Sequence, residues 1–273
     1  MNVLRLLAAA CACVLALTAC TAQPSVPADD PTPSASSSPS PTVPPDPGPR
    51  PRLGECHDLT FGQAVAVVGR TRPVACRRKH SAQTYFVGRL DLTTKSGFTR
   101  RVDSQAAQRQ MRQACTTRLP RHLGRDPRDL RLSMVRAVWF TPSPRHAEAG
   151  ADWFRCDVVV VASPRQLMRL PTRTKGWGEA PATAMCATAA PGTKGFARVT
   201  CGSKHSWRAA TTVDLPGTKL PGQAVVAARM ESACRDTARS RAEDPLDFTW
   251  SQESPTREQW DAGQRYGICW VPA

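Results

Sequence analysis

Acidic residues are scarce in this chain: 22 Asp and Glu stand against 37 Lys and Arg among 273 residues, a formal net charge of +15. Aromatics are few as well, with two Tyr and seven Phe, so any core must be built from Ala, Val, Leu, Trp and cysteine. No glycine triplet, no sustained heptad and no second long apolar run is present, which excludes collagen-like, coiled-coil and multi-span membrane classes. Also missing are a Gly-x-Ser-x-Gly elbow, a His-Glu-x-x-His helix, a Gly-x4-Gly-Lys loop and a Ser-x-x-Lys pair, so no familiar hydrolase or nucleotide-binding motif can be assigned. What the chain has in quantity is 11 Cys, 25 Pro and arginine, and these say more about its setting than about its chemistry.

Residues 1–20 carry one Arg5, then the apolar run from Leu6 to Leu17, and end at Thr18-Ala19-Cys20. The run is too short to span a bilayer and reads as the h-region of a signal peptide. Leu17-Thr18-Ala19-Cys20 resembles the bacterial lipobox, which implies cleavage before Cys20 and lipidation of its thiol. A protein so modified is held to the cell membrane by its acyl chains and does not span it. Residues 21–52 contain 11 Pro and 9 Ser or Thr with no periodic apolar positions. They read as a disordered, semi-stiff spacer with a contour of at most roughly 100 Å.

The other eight cysteines fall into two sets of four with matching surroundings. Val74-Ala75-Cys76-Arg77-Arg78-Lys79-His80-Ser81 parallels Val199-Thr200-Cys201-Gly202-Ser203-Lys204-His205-Ser206. Met111 and Ala114 precede Cys115 as Met230 and Ala233 precede Cys234, and Asp126-Pro127-Arg128-Asp129 answers Asp244-Pro245-Leu246-Asp247. Trp139 and Gly150 stand before Cys156 much as Trp250 and Gly263 stand before Cys269, with a two-residue difference in length. The pattern is an internal duplication. Behind an export signal, cysteines in such sets form a disulfide framework. Duplication leaves three pairings per half. The favoured one joins Cys56 to Cys76 and Cys115 to Cys156, then Cys186 to Cys201 and Cys234 to Cys269, each bridge contributing about 3–4 kcal/mol by loop closure.

The expected fold class is α+β: two tandem disulfide-stapled modules, each a small, mainly antiparallel sheet with one main helix. Strands are expected over 84–92, 132–139, 156–161, 207–213, 248–251 and 266–271, and helices over 105–119 and 223–238. The modules are placed at 53–163 and 182–273, with a linker over 164–181.

These features together resemble the actinobacterial septum formation domain family, here in two tandem copies. The resemblance rests on Gly54-Glu55-Cys56, Val74 to His80, Cys115, Trp139-Phe140-Thr141-Pro142 and Gly150 to Cys156. In the second half it rests on Val199 to His205, Cys234, Trp250, Pro255 and Gly263 to Cys269, while Ala184-Met185-Cys186 lacks the leading glycine. It implies a lipid-anchored envelope module connected with cell division, and it carries over no catalytic residue.

Little else points to chemistry. His80 and His205 each follow a cysteine by four residues, and the expectation is that they hydrogen-bond or pack beside a bridge; no metal, cofactor or catalytic residue is assigned. Asp126 and Asp129 read as caps and turn formers around Pro127. Charge is more informative. Residues 53–175 hold 23 basic residues against 9 acids, whereas 176–273 hold 11 against 10. Arg77, Arg78, Lys79, Arg118, Arg121, Arg125, Arg128 and Arg131 are therefore the candidate contacts for an anionic partner, either phospholipid headgroups or phosphorylated wall polymer. Division-site envelope proteins are the other candidate partners, and export argues against nucleic acid. The reading from sequence is a non-catalytic envelope scaffold on the extracytoplasmic face of the cell membrane; its rival is a cell-wall hydrolase or transferase using a carboxylate and a histidine.

Overall fold

A computed structural model describes residues 45–177 and 181–273. The signal peptide with Cys20, and the spacer as far as residue 44, lie outside the described residues. In the first half the chain runs β1 (Cys56–His57), α1 (Phe61–Ala64), β2 (Ala82–Arg89), α2 (Gln105–Leu123), α3 (Pro127–Arg131), β3 (Val135–Phe140), α4 (Pro144–Glu148), β4 (Trp153–Ser163) and β5 (Gln166–Leu167). The strands pair antiparallel in the order β1-β2-β4-β3, with β5 folded back on the end of β4. β4 is central because its run of valines is apolar on both faces, and Val158, Val159 and Val160 are all buried.

α2 starts where the Ser104 hydroxyl accepts the Ala107 N–H and ends at Gly124, whose φ of 70° permits the left-handed cap. Ala107, Met111, Cys115, Leu119 and Leu123 recur every fourth residue and are buried on the sheet. The helix passes through Pro120, one turn beyond the end expected from sequence. The proline lacks an N–H to bond back along the helix, but burial of Leu119 and Leu123 keeps the last turn docked.

The second half comprises β6 (Met185–Ala187), β7 (Arg198–Thr200), β8 (Trp207–Asp214), α5 (Gln223–Arg239), β9 (Ser251–Glu253), α6 (Arg257–Asp261) and β10 (Tyr266–Pro272). Its sheet is antiparallel in the order β7-β6-β8-β10-β9, so β6-β8-β10-β9 repeats β1-β2-β4-β3. The agreement extends to register. Cys56 faces Gln83 as Cys186 faces Arg208, and the β-bulge at Tyr85 recurs at Ala210. The disulfides are Cys56–Cys76, Cys115–Cys156, Cys186–Cys201 and Cys234–Cys269, the pairing favoured from the repeat. In each half one bridge staples the long helix to the central strand. One correspondence is corrected. Trp139 faces Cys156, but the residue facing Cys269 is Gln252, so Trp250 lies two positions early and the final strand pair begins at Ser251. Counted back from each cysteine, Trp139 and Gln252 are equally distant, and no length difference is needed.

The two halves share a core. The face of the second sheet away from α5 is apolar, with Met185, Ala187, Ala209, Ile268 and Trp270 all buried, and it belongs to the same cluster as Met111, Leu130, Met134, Val135 and Val160 of the first half. Backbone bonds cross the seam, from Met134 N–H to Thr183 O at 2.7 Å and from Met185 N–H to Leu132 O at 2.8 Å. Arg131 reaches Asp214 at 2.6 Å while lying 4.4 Å over the Tyr266 ring. Residues 164–177, read from sequence as linker, pack as a strap on the first half: Leu170 and Thr174 are buried, and Leu170 N–H bonds His80 O. Gly48 of the spacer's last residues lies against the His146 ring.

A shared core predicts shared stability. Trp270→Ala should cost about 3–5 kcal/mol, and native-state hydrogen exchange should quicken in β4 as well as in β10. Faster exchange confined to β10 would show two independent cores.

Candidate functional site

Arg118, Arg121 and His122 sit on the last turns of α2, beside the stripe of Cys115, Leu119 and Leu123 that the helix buries on the sheet. They form one wall of a cavity of about 550 Å³. The floor is β2, contributing Gln83, Thr84 and Tyr85, and the far wall is the strap, contributing Arg173 and Lys175. Leu53, 71% exposed, stands at the rim. None of the residues lining this cleft is acidic. Among the described residues, none of its four formal cations is in a salt bridge.

The walls are held by a buried hydrogen-bond network. Thr174, fully buried at the middle of the strap, donates to Gln83 Oε1 from its N–H at 2.7 Å and from its hydroxyl at 2.6 Å. With that hydroxyl proton committed, the Thr174 oxygen accepts from His122 Nε2–H at 2.8 Å, which fixes the His122 tautomer. Burial, assisted by Lys175, lowers the His122 pKa, so the neutral ring is favoured. Gln83 Nε2 donates to Thr172 O at 3.0 Å and closes the frame. Because Thr174 points inward, its neighbours Arg173 and Lys175 point out. Arg118 is placed by stacking 4.2 Å over Phe86 and by donating to Ala114 O at 3.1 Å. Tyr85, below, donates its hydroxyl to Cys115 O at 2.7 Å.

The arginines singled out in the sequence part company here. Arg118 and Arg121 line the cleft. Arg77, Arg78 and Lys79 form a separate exposed turn after Cys76. Arg125 donates to Asp129 O, Arg128 is exposed, and Arg131 is consumed by the seam. Arg173 and Lys175 were not singled out, since a cation two residues from another in a proline-flanked stretch carries no local signal of the wall it joins.

The duplication supplies an internal control. Aligning the helices on Cys115 and Cys234 puts Thr237, Ser240 and Arg241 where the first half has Arg118, Arg121 and His122, and strand register puts Ala210 in place of Tyr85. Arg241 is spent on a backbone carbonyl, donating to Ala210 O at 3.2 Å. The scaffold is repeated, but Arg118 and Arg121 have no cationic counterpart, and the arginines of the second half, Arg208 and Arg241, stand instead at the positions of Gln83 and His122.

The histidines behave as expected. His80 is buried, with Nδ1 2.9 Å from Arg78 O and Nε2 3.1 Å from Pro171 O, and His205 Nδ1 lies 2.7 Å from Ser203 O. His205 also approaches the Cys186 and Cys201 sulfurs within 4.8 Å, but those sulfurs are joined to each other and offer no thiolate. Asp126 caps α3, accepting Arg128 N–H at 2.7 Å, and Asp244 accepts Leu246 N–H at 2.8 Å. Among the described residues, no helix is long and apolar enough to cross a membrane.

Sequence reasoning missed a buried charged network on the other face of the first sheet. Arg155 Nη1 donates to His57 Nε2 at 2.7 Å, Arg155 Nε lies 3.3 Å from Asp157 Oδ2, and the Thr84 hydroxyl donates to Asp157 Oδ1 at 2.7 Å. Burial and the adjacent guanidinium push His57 down to about 3, and burial pushes Asp157 up to about 6 against the pull of Arg155 and Thr84.

The chain is thus an α+β protein of two fused, disulfide-stapled halves with a cationic cleft in the first. It belongs to the septum formation family, which matches residues 53–269 in one span across both halves and ties the chain to cell division. Comparison with the curated proteins found no match, and neither did comparison with the solved structures.

The buried network makes a pH prediction. His57 is lowered from 6.5, so its contribution to stability is complete above pH 6.5 and is lost as pH falls toward 3. Asp157 is raised from 3.8, so its contribution is complete below that value and is lost as pH rises through 6. Urea unfolding at pH 7 and 4.5 should show His57→Gln losing about 2–3 kcal/mol less on acidification than the parent, and Asp157→Asn losing about 2 kcal/mol more. Parallel pH profiles for all three would refute the network.

Proposed function

We propose that this protein is a non-catalytic binding and scaffold component of the cell envelope, active in septum formation. It would be held at the extracytoplasmic face of the cell membrane by lipid on Cys20. In this reading its first half meets anionic envelope components, phospholipid headgroups or phosphorylated wall polymer, and its second half serves as the body against which the first is braced. The observation that carries it is the cleft: cations with no carboxylate in the lining, on a scaffold whose second copy has Thr237 and Ser240 in place of Arg118 and Arg121. Like charges gathered without counter-charge raise the local concentration of anions and steer them to the site. The cleft is framed by a rigid sheet and helix, and the histidines are engaged by backbone carbonyls without an opposed acid. Both features suit holding a partner better than turning over a substrate.

Cys20→Ala should release the protein from the membrane fraction of cells. In sedimentation with vesicles of anionic phospholipid, or with phosphorylated wall polymer, binding should fall steeply as salt rises from about 50 to 300 mM. Replacing Arg77, Arg78, Lys79, Arg118 and Arg121 with Gln in the whole chain should abolish it. Replacing Lys194, Lys204, Arg208, Lys219 and Arg257 should leave most of it, and equal losses from the two sets would defeat the reading.

A further inference from the structure

The cleft between α2 and the strap is a discrete site and more than a patch of positive surface. Arg118 and Arg121 face Arg173 and Lys175 across a cavity of about 550 Å³, within the range of roughly 300–1,000 Å³ typical of small-molecule sites. Arg121, Arg173 and Lys175 have no protein partner among the described residues. The cations are pre-positioned from both sides: Arg118 by the Phe86 ring, the strap by buried Thr174. Such preorganisation lowers the ordering cost of clamping an anion, and Arg forks match the geometry of phosphate oxygens.

Charge and lining narrow the ligand. A phosphodiester carries a single negative charge and would leave most of these cations unmatched. A phosphate monoester carries about −1.5 to −2 near neutrality, and a diphosphate carries more. Apolar surface lies beside the cations: the floor carries the Tyr85 ring next to Gln83 and Thr84, and Leu53 stands 71% exposed at the rim. An exposed leucine beside a cation clamp suits a ligand that is charged at one end and greasy at the other.

We propose that this cleft binds an amphiphile bearing a terminal phosphate monoester or diphosphate, with the phosphate held between α2 and the strap and the apolar group against Tyr85 and Leu53. This rests on the reading of the first half as the half that meets anions, and it deepens that reading to one ligand class.

The test is calorimetric titration of the purified protein with farnesyl diphosphate, inorganic diphosphate and farnesol, beside sedimentation with phosphatidylglycerol vesicles. Farnesyl diphosphate should bind at least tenfold more tightly than either inorganic diphosphate or farnesol, roughly the factor that 1.4 kcal/mol supplies. Arg121→Gln and Arg173→Gln should each weaken it tenfold or more, and Arg128→Gln, outside the cleft, should not. Thr174→Val should weaken it severalfold although it removes no charge, and Thr174→Ser, which keeps the hydroxyl, should restore it. Equal binding of inorganic and farnesyl diphosphate would overturn the amphiphile, equal binding of farnesol would overturn the phosphate clamp, and Arg128→Gln behaving like Arg121→Gln would overturn the discrete site. Vesicle binding without farnesyl diphosphate binding would overturn this proposal and leave the broader anion-meeting reading standing; failure of both would remove both.

Discussion

The structure depends on burial of one sheet face. Ala187, Ala209, Ile268 and Trp270 are apolar and line the side of the second sheet that α5 does not cover. A sheet with two apolar faces needs a layer on each, and here the second layer is the first half of the same chain. That contact makes a repeat of small modules into one body, and it sets the seam at which Arg131 and Asp214 meet. Disulfides staple each helix to its own sheet, but none joins the halves. The union is hydrophobic, with backbone bonds at its edge.

The first half solves the same problem differently. At the positions of Ala187, Ala209, Ile268 and Trp270 it carries His57, Thr84, Arg155 and Asp157, and their face is covered by its own segment, with Leu59, Ala64 and Phe140 packed around them. Buried ion pairs seldom stabilise a fold beyond what an apolar core would, because desolvation offsets the attraction. Their effect here is to make the two faces chemically unlike. One copy's face is greasy and must be covered by the other copy; the other copy's is polar and satisfied locally. The divergence explains why the halves pair once and asymmetrically.

Divergence on the helix side made the cleft. The bulge that tucks Tyr85 under α2 is repeated at Ala210, and the helix register is repeated through the cysteines, so both halves hold the same frame. The cations differ in place: the first half presents Arg118 and Arg121 where the second has Thr237 and Ser240, the second has Arg208 and Arg241 where the first has Gln83 and His122, and in the first half a strap returns across β2 to add Arg173 and Lys175, pinned by Thr174.

Much of the architecture was legible before any coordinates. The duplicated cysteine spacing restricted the pairings, the valine run marked the central strand, and the four-residue spacing from Ala107 to Cys115 marked the main helix. Errors came where a local rule met tertiary packing. Pro120 should have ended α2, but Leu119 and Leu123 held the turn in place. Trp250 matches Trp139 in residue type, whereas strand register equates Trp139 with Gln252.

The site was half legible. Charge asymmetry pointed to the first half and to Arg118 and Arg121, since net charge and helical spacing are properties of the chain alone. Which arginines converge, which are spent on the seam, and the arrival of Arg173 and Lys175 from the strap were decided by contacts between segments far apart in sequence. So was the burial of His57, Arg155 and Asp157, because the electrostatics of a charge follow from what surrounds it in space, and only the folded chain brings those surroundings together.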